Sequence, residues 1–204
     1  MKKALLLFFT VFSVTAFSQG KGDVEFGFNI GGNLSNITQA DYTYSYAIGF
    51  NAGVSMEYYF SSSWGIKSKV MYDQMGWNDD LIYDVATDRY VDTNFRLNYL
   101  TIPVMADYHF GNKKEFYFNA GPYVGFLLDA HETRYDTDMK EFFNTTDLGL
   151  MLGVGYTTLL SDKIKFFVGF DARGGIIDVV KYNDNPVVLN SCMNFNIGLN
   201  MLVK

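Results

Sequence analysis

Cys192-Met193-Asn194-Phe195-Asn196-Ile197-Gly198-Leu199-Asn200-Met201-Leu202-Val203 alternates with period two. One face carries Met193, Phe195, Ile197, Leu199, Met201 and Val203; the other carries Cys192, Asn194, Asn196, Gly198, Asn200 and Leu202. A strand built this way has one face in an apolar medium and the other in a polar one. Ile164 to Arg173 repeats the pattern, with Ile164, Phe166, Val168, Phe170 and Ala172 against Lys165, Phe167, Gly169, Asp171 and Arg173. Which medium each face meets decides the fold.

Working outward, Val24–Ile30, Ile48–Phe60, Trp64–Tyr72, Phe95–Phe110, Glu115–Leu128 and Asp147–Leu160 alternate similarly, so eight strands are expected. In Phe95–Phe110 the apolar residues sit on odd numbers to Tyr99 and on even numbers from Leu100. A β-bulge near Tyr99 would switch faces this way; so would the point at which the strand leaves a membrane. The polar face is rich in glycine (Gly27, Gly53, Gly121, Gly125, Gly149, Gly153, Gly155, Gly169, Gly198) and in charge, with Glu57, Lys67, Lys69, Asp107, His109, Asp171 and Arg173. Eight strands enclose an interior just wide enough for side chains, which suits small residues and mutually neutralising charges such as Glu57 with Lys67 or Asp171 with Arg173. The large apolar residues then face lipid, where an open sheet edge finds no water and the sheet must close.

Connection lengths agree. Ser61–Ser63, Gly111–Lys114 and Ser161–Lys163 are short, while roughly 31–47, 73–94, 129–146 and 174–191 are long. Short periplasmic turns alternating with long external loops mark an outer-membrane barrel. Tyr58, Phe60, Trp64, Tyr108, Phe110, Phe116, Tyr156 and Phe166 flank the short turns and make the inner interfacial girdle. The fold expected is therefore all-β, an eight-stranded antiparallel transmembrane β-barrel with four longer external loops.

The 204 residues suit one such domain; 18% are aromatic, with 19 Phe and 15 Tyr but only 3 Pro, which favours strands. Lys2 and Lys3, the apolar run Ala4 to Phe12 and the small residues of Ala16-Phe17-Ser18 read as a signal peptide over 1–18, cleaved to leave a barrel domain of 19–204 in the outer membrane of a Gram-negative cell. Cleavage removes two lysines and no acid, taking the formal charge from −6 to −8 and arguing against nucleic acid as a partner. No other apolar run reaches the 18 or so residues of a spanning helix. Cys192 is the only cysteine, so no intramolecular disulfide forms and the thiol reads as a packing residue.

The export signal, Gly31-Gly32-Asn33-Leu34-Ser35, Asn98-Tyr99-Leu100-Thr101-Ile102-Pro103-Val104, Gly121-Pro122-Tyr123-Val124-Gly125 and Asp147-Leu148-Gly149-Leu150 together resemble the PorT-like outer-membrane β-barrel family over the whole mature chain. The resemblance implies an eight-stranded barrel and, for a few relatives, a part in protein secretion. The chain departs from many outer-membrane barrels in ending Met201-Leu202-Val203-Lys204, without a terminal aromatic residue.

Enzymatic chemistry needs a nucleophile or base held within reach of partners. His109 reads as a lumen hydrogen-bond partner of Asp107. His131 stands in an external loop beside Asp129, Glu132, Asp136 and Asp138, yet no serine lies between Ser68 and Ser161, and Ser191 is the only external serine late in the chain. Gly153-Val154-Gly155 lies within a strand with no helix after it, so it cannot cradle a phosphate. The acids Asp79, Asp80, Asp84, Asp88 and Asp92, and Asp129, Glu132, Asp136, Asp138 and Glu141, read as solvated loop charge, without the turn glycine of a calcium loop. Tyr42, Tyr44 and Tyr46 fit either a binding surface or a strand continuing above the membrane. The function expected is non-enzymatic, structural or interactive through the external loops, with no cofactor and with outer-membrane lipid as a partner. Two alternatives stand beside it: an accessory of secretion or envelope assembly, with other envelope proteins as partners, and a lipid-modifying surface enzyme built on His131.

Overall fold

The computed structural model describes residues 20–39, 42–182 and 187–203. The signal segment 1–18 lies outside the described residues. The strands are β1 (Val24–Gln39), β2 (the pair Tyr42–Thr43), β3 (Ser45–Tyr59), β4 (Trp64–Asp84), β5 (Arg89–Phe110), β6 (Phe116–Glu132), β7 (Thr146–Leu159), β8 (Ile164–Gly175) and β9 (Leu189–Val203). A single 3-10 turn, Lys140–Phe142, precedes β7. Apart from β2, which pairs only with β1, each strand pairs antiparallel with its chain neighbours, and β1 pairs with β9 from Val24↔Val203 to Thr38↔Leu189. The eight long strands thus form a closed ring with no free edge in its wall, as lipid demands. Among the described residues no helix is long and apolar enough to cross a membrane.

The two faces divide as the alternation predicts. Phe26, Phe28, Val54, Met56, Leu150, Leu152, Leu199 and Met201 are exposed on the outside, whereas Glu25, Asn29, Asp107, Asn119, Asp171 and Asn194 are buried inside. At the inner end the rings form a ladder along the outer wall, Trp64–Tyr108 at 4.7 Å, Phe110–Phe116 at 5.6 Å and Phe116–Tyr156 at 5.4 Å between centroids. Aromatic side chains at that level sit between headgroups and hydrocarbon.

The strands run further outward than the alternation indicates. β4 has 21 residues and β5 has 22, about twice the 9–11 that a tilted spanning strand needs. Most of the stretch 73–94, expected as a loop, is therefore hairpin, with Val85–Asp88 as its tip. Above the membrane the outward face is wetted, so lipid-type alternation fades, but backbone pairing continues.

The switch in Phe95–Phe110 has the second of its two explanations. Phe95, Leu97, Tyr99, Thr101, Met105, Asp107 and His109 all point inward, so β5 never changes faces. The one-residue register shift beside Tyr99 belongs to β6, where Leu128 is the extra residue between the pairs Asn98↔Asp129 and Tyr99↔Leu127. What changes is the environment: inside the barrel, polar filling gives way to apolar filling. Bulges in β3 and β4 occur at the same height, between Tyr46 and Asn51 and between Trp77 and Asp80. Gly76 takes φ 144°, and a Cβ there would strike the Phe95 carbonyl, so glycine lets β4 press against β5 where Trp77 turns inward.

Candidate functional site

The interior is built in layers. At the inner end Lys67 Nζ lies 3.3 Å from both Glu57 Oε2 and Asp107 Oδ2. His109 Nε2 lies 2.8 Å from Glu57 Oε1 but 3.6 Å from Asp107 Oδ1, so its hydrogen-bond partner is Glu57 rather than Asp107. Residues two apart on one strand point the same way and reach less easily for each other than for a side chain on a facing strand. Beside this group Lys165 pairs with Glu25, which also accepts from Asn200 Nδ2 at 2.6 Å.

Further up, Lys69 Nζ donates to Asp171 Oδ2 at 2.8 Å, and Asn196 Nδ2 donates to the same oxygen at 2.9 Å. Arg173 Nη1 donates to Asp73 Oδ2 at 2.8 Å and to Thr101 Oγ1 at 2.9 Å. The expected pairing of Asp171 with Arg173 is thus replaced by two pairs across the lumen, for the same geometric reason. Asn29, Asn33, Asn51 and Asn194 link one another by side-chain amides (Asn51 Nδ2 to Asn33 Oδ1, 2.6 Å). Glu57, Lys67, Lys69, Asp107, His109, Asp171 and Arg173 are all buried. Glu57, Asp107 and His109 offer three ligand atoms within 4.8 Å of one another. The Lys67 ammonium already holds both carboxylates, so a divalent cation would have to displace a buried charge partner.

A transitional layer follows: Asp147 Oδ2 accepts from Tyr123 OH and Asn190 Nδ2, both at 3.0 Å, and Asn190 Nδ2 also reaches Tyr99 OH at 3.2 Å. Above it the filling is apolar. Ile37, Met75, Trp77, Phe95, Leu97, Leu127, Ala130, Phe143, Val179, Val188 and Cys192 form one buried cluster with Tyr99. Trp77 stacks on Phe95 at 4.8 Å, and Phe143 and Tyr44 meet it edge-on at 6.0 and 6.2 Å.

Two loops supply the top of this cluster. Phe143 and Val180 form a β-bridge, Asn144 N donates to Val179 O at 2.8 Å, and Lys181 N donates to Phe142 O at 2.8 Å. The β6–β7 and β8–β9 connections are thereby stitched together over the mouth. Sequence reasoning missed this cap; its trace is the odd-numbered apolar run Phe95, Leu97, Tyr99, continued by Phe143, Val179 and Val188 among polar loop residues.

Outside the mouth, β4 beyond Asp80 and β5 before Thr93 pair only with each other. Tyr83 and Tyr90 meet edge-on at 5.4 Å on this hairpin, and Leu81, Val85 and Tyr90 are exposed. Several loop acids expected to be merely solvated have structural partners. Asp80 Oδ2 accepts from Trp77 Nε1 at 2.8 Å. Asp84 accepts from Thr87 Oγ1, Ala86 N and Tyr135 OH, hydrogen bonds that hold its carboxyl below the ordinary value. Asp88 takes a short hydrogen bond from Tyr83, which raises the phenol.

The buried Glu132 accepts from Thr93 Oγ1 and from the backbone N–H groups of Arg134, Tyr135 and Thr137. Desolvation pushes its carboxyl up, but these donors together hold it below its ordinary value. A carboxylate that accepts from several backbone N–H groups organises a loop in this way. His131 Nδ1 lies 3.0 Å from Asp129 Oδ2 in an exposed pair facing Arg96 across the strands, whereas Ser191 sits on β9 between Asn36 and Gly174. The structure does not bring that histidine and serine together. Tyr44 joins the mouth cluster and Tyr46 is exposed; the side chain of Tyr42 lies outside the described residues.

No protein of curated function matches the sequence. Among solved structures, the chain is similar to the outer membrane protein OprG of Pseudomonas aeruginosa, with TM-score 0.57 and 12% identity over 91% of this chain and 98% of that one. It is similar also to outer membrane protein AlkL in lipid bilayers, with TM-score 0.54 and 12% identity over 95% of each chain. Neisserial surface protein A gives TM-score 0.51 and 18% identity over 86% of this chain and 96% of that one. At such identities the likeness establishes the fold alone. The sequence matches the outer membrane protein beta-barrel domain over residues 17–181, at the level of the broad family and not of the narrower secretion-associated resemblance. The closed ring with apolar outer walls, an inner aromatic ladder and a polar, ion-paired interior agrees with that match, and this chain belongs to the outer membrane protein beta-barrel domain family.

Proposed function

We propose that this protein is a non-enzymatic outer-membrane barrel with a closed lumen, acting through its extracellular hairpin and loops as a structural or interaction element. In this reading residues 1–18 are a signal peptide removed on export, and outer-membrane lipid is the partner of the wall. The observation that carries the proposal is the double stopper: ion pairs fill the membrane-level lumen, and the cluster around Trp77, Phe95 and Phe143 fills the mouth. The β4–β5 hairpin projects furthest beyond this stopper and carries exposed tyrosines and aspartates. Tyrosine offers contact area at low entropic cost, which suits recognition.

The deciding experiment reconstitutes the protein in a planar bilayer. The expected record has no steady conductance, and a regular open-channel current refutes the closed lumen. N-terminal sequencing of protein recovered from outer membranes should begin at Gln19. Replacing the outer hairpin 81–92 with a short turn should leave the heat-modifiable gel shift of a closed barrel intact while removing whatever surface contact the cells make.

A further inference from the structure

Most strand glycines in this barrel are dictated by crowding. A Cβ at Gly27 would strike Ser55 and Asn200, one at Gly31 the Phe195 carbonyl, and one at Gly198 the Phe28 carbonyl. Gly32 is different. Its backbone conformation is ordinary, and the nearest atom to an added Cβ is the Gly49 carbonyl oxygen, 4.0 Å away. Glycine weakens a strand interior, so neither the backbone nor the packing accounts for its presence here.

Gly32 stands opposite Phe50 on β3 and Phe195 on β9, two rings exposed on the outer wall at 50% and 57%. An open groove of about 450 Å³ lies between them, floored by Gly31 and Gly32 and continued by Ile30, Asn51, Ala52 and Ile197. Along β1 the register runs from Val24, opposite Tyr58 of the inner girdle, to Gly32, opposite Phe50. At ~3.4 Å per residue and a tilt of ~40°, that stretch climbs roughly 20 Å across an apolar band ~25 Å tall. The groove therefore opens within the lipid-facing wall, on the outer-leaflet side. The exposed apolar Leu34 still lies above it.

We propose that the Gly32 groove is a seat for one acyl chain of an outer-leaflet lipid, held between the Phe50 and Phe195 rings. The groove is continuous with the surface this barrel already presents to lipid, so hydrocarbon is what reaches it. Its lining offers apolar atoms almost alone, which fits a chain and not a headgroup. Its walls are two aromatic rings on the strands that flank β1, giving a slot for one linear chain and not a platform for a second barrel.

The test uses the full barrel, stripped of lipid in detergent, titrated with dimyristoyl phosphatidylglycerol and read by native mass spectrometry. The wild-type protein should retain one lipid more tightly than the rest. Gly32→Leu, which fills the slot, should weaken retention of that lipid about tenfold, and Phe195→Ala, which removes one wall, should weaken it in the same direction. Ala106→Leu, on the lipid face of β5 away from the groove, should leave it unchanged. Gel migration with and without boiling checks that each variant is a closed barrel, and Phe195→Ala carries the test if Gly32→Leu is not. Equal retention by the filled or unwalled variants overturns the proposal. So does a cross-linked dimer abolished by Gly32→Leu, which would assign the groove to a second copy of this chain.

Discussion

Replacing Arg173 by methionine is the sharpest probe of the lumen. Arg173 and Asp73 are both buried, and the arginine is the charged partner of that carboxylate at 2.8 Å. Without it, the donors left to Asp73 Oδ1 are the side-chain amides of Asn33 and Asn194, both at 3.4 Å, the far end of hydrogen-bond range. A buried carboxylate stranded by loss of its partner costs about 3–5 kcal/mol, whereas an exposed ion pair contributes ~0.2–1 kcal/mol. With a urea m-value of about 2 kcal/mol/M, Arg173→Met should lower the unfolding midpoint in lipid vesicles by about 1.5–2.5 M. Removing both charges, Arg173→Met with Asp73→Leu, should recover most of that loss, because apolar packing replaces a buried pair at little net cost. Tryptophan emission and the boiling-dependent gel shift report the transition. A midpoint lowered by less than about 0.5 M would mean that water solvates Asp73. That result would refute the dry, ion-paired interior and, with it, the closed lumen.

Three further outcomes follow from other parts of the molecule. Phe143→Ala should uncover the mouth without opening the ring, so Cys192, buried in the cluster beneath, should react with a maleimide far faster than in wild type; unchanged labelling would show that Phe143 does not cap it. Ile197→Arg, on the lipid face, should cost about 2–4 kcal/mol, while Leu81→Arg on the wetted hairpin should stay within ~0.5 kcal/mol; similar costs at both sites would misplace the membrane. The Glu132 carboxyl is held below its ordinary value in the folded loop, so its contribution is full above that value and fades as pH falls through the lowered one. Amide signals of Arg134, Tyr135 and Thr137 should therefore broaden on acidification in wild type and be broadened already at neutral pH in Glu132→Gln; pH-independent amides would remove Glu132 from its organising role.

The parts of this fold legible in the sequence are those that a period of two can express. Met193, Phe195, Ile197 and Leu199 face outward because lipid selects every second residue over the full width of the wall, and the aromatic ladder at the short turns is visible for the same reason. Partner choice inside the barrel is not periodic. Asp171 and Arg173 are neighbours on one face in the sequence, yet each finds its counter-charge across the lumen, in Lys69 and Asp73. Only closure of the ring brings those strands face to face. The outer limit of the strands was hidden for a related reason: backbone pairing from Asp80 to Asp84 continues where no lipid imposes a side-chain pattern.

The odd-numbered run Phe95, Leu97, Tyr99 shows how one strand can serve two solvents. Below Tyr99 the wall is apolar outside and polar inside; above it, inward Phe95 and Leu97 meet Trp77 and Phe143 while Arg96 and Asn98 face out. The inversion follows from where water is. Apolar surface gains free energy by leaving water, and lipid removes that gain for side chains on the membrane-level wall, because hydrocarbon is as apolar as any core. The larger buried apolar cluster in this barrel therefore lies above the membrane, gathered inside the ring, and only the smaller group of Met105, Tyr123 and Met151 packs among the polar filling at membrane level. At membrane level the interior is held by ion pairs and amides, whose strength depends on excluding water. The mouth cluster lies over that network on the extracellular side, so its hydrophobic closure shields the polar filling beneath from external water. Loops and lumen are in this sense one device: the loop residues Phe143, Val179 and Val188 keep dry the charges that Lys69, Asp73, Asp171 and Arg173 bury.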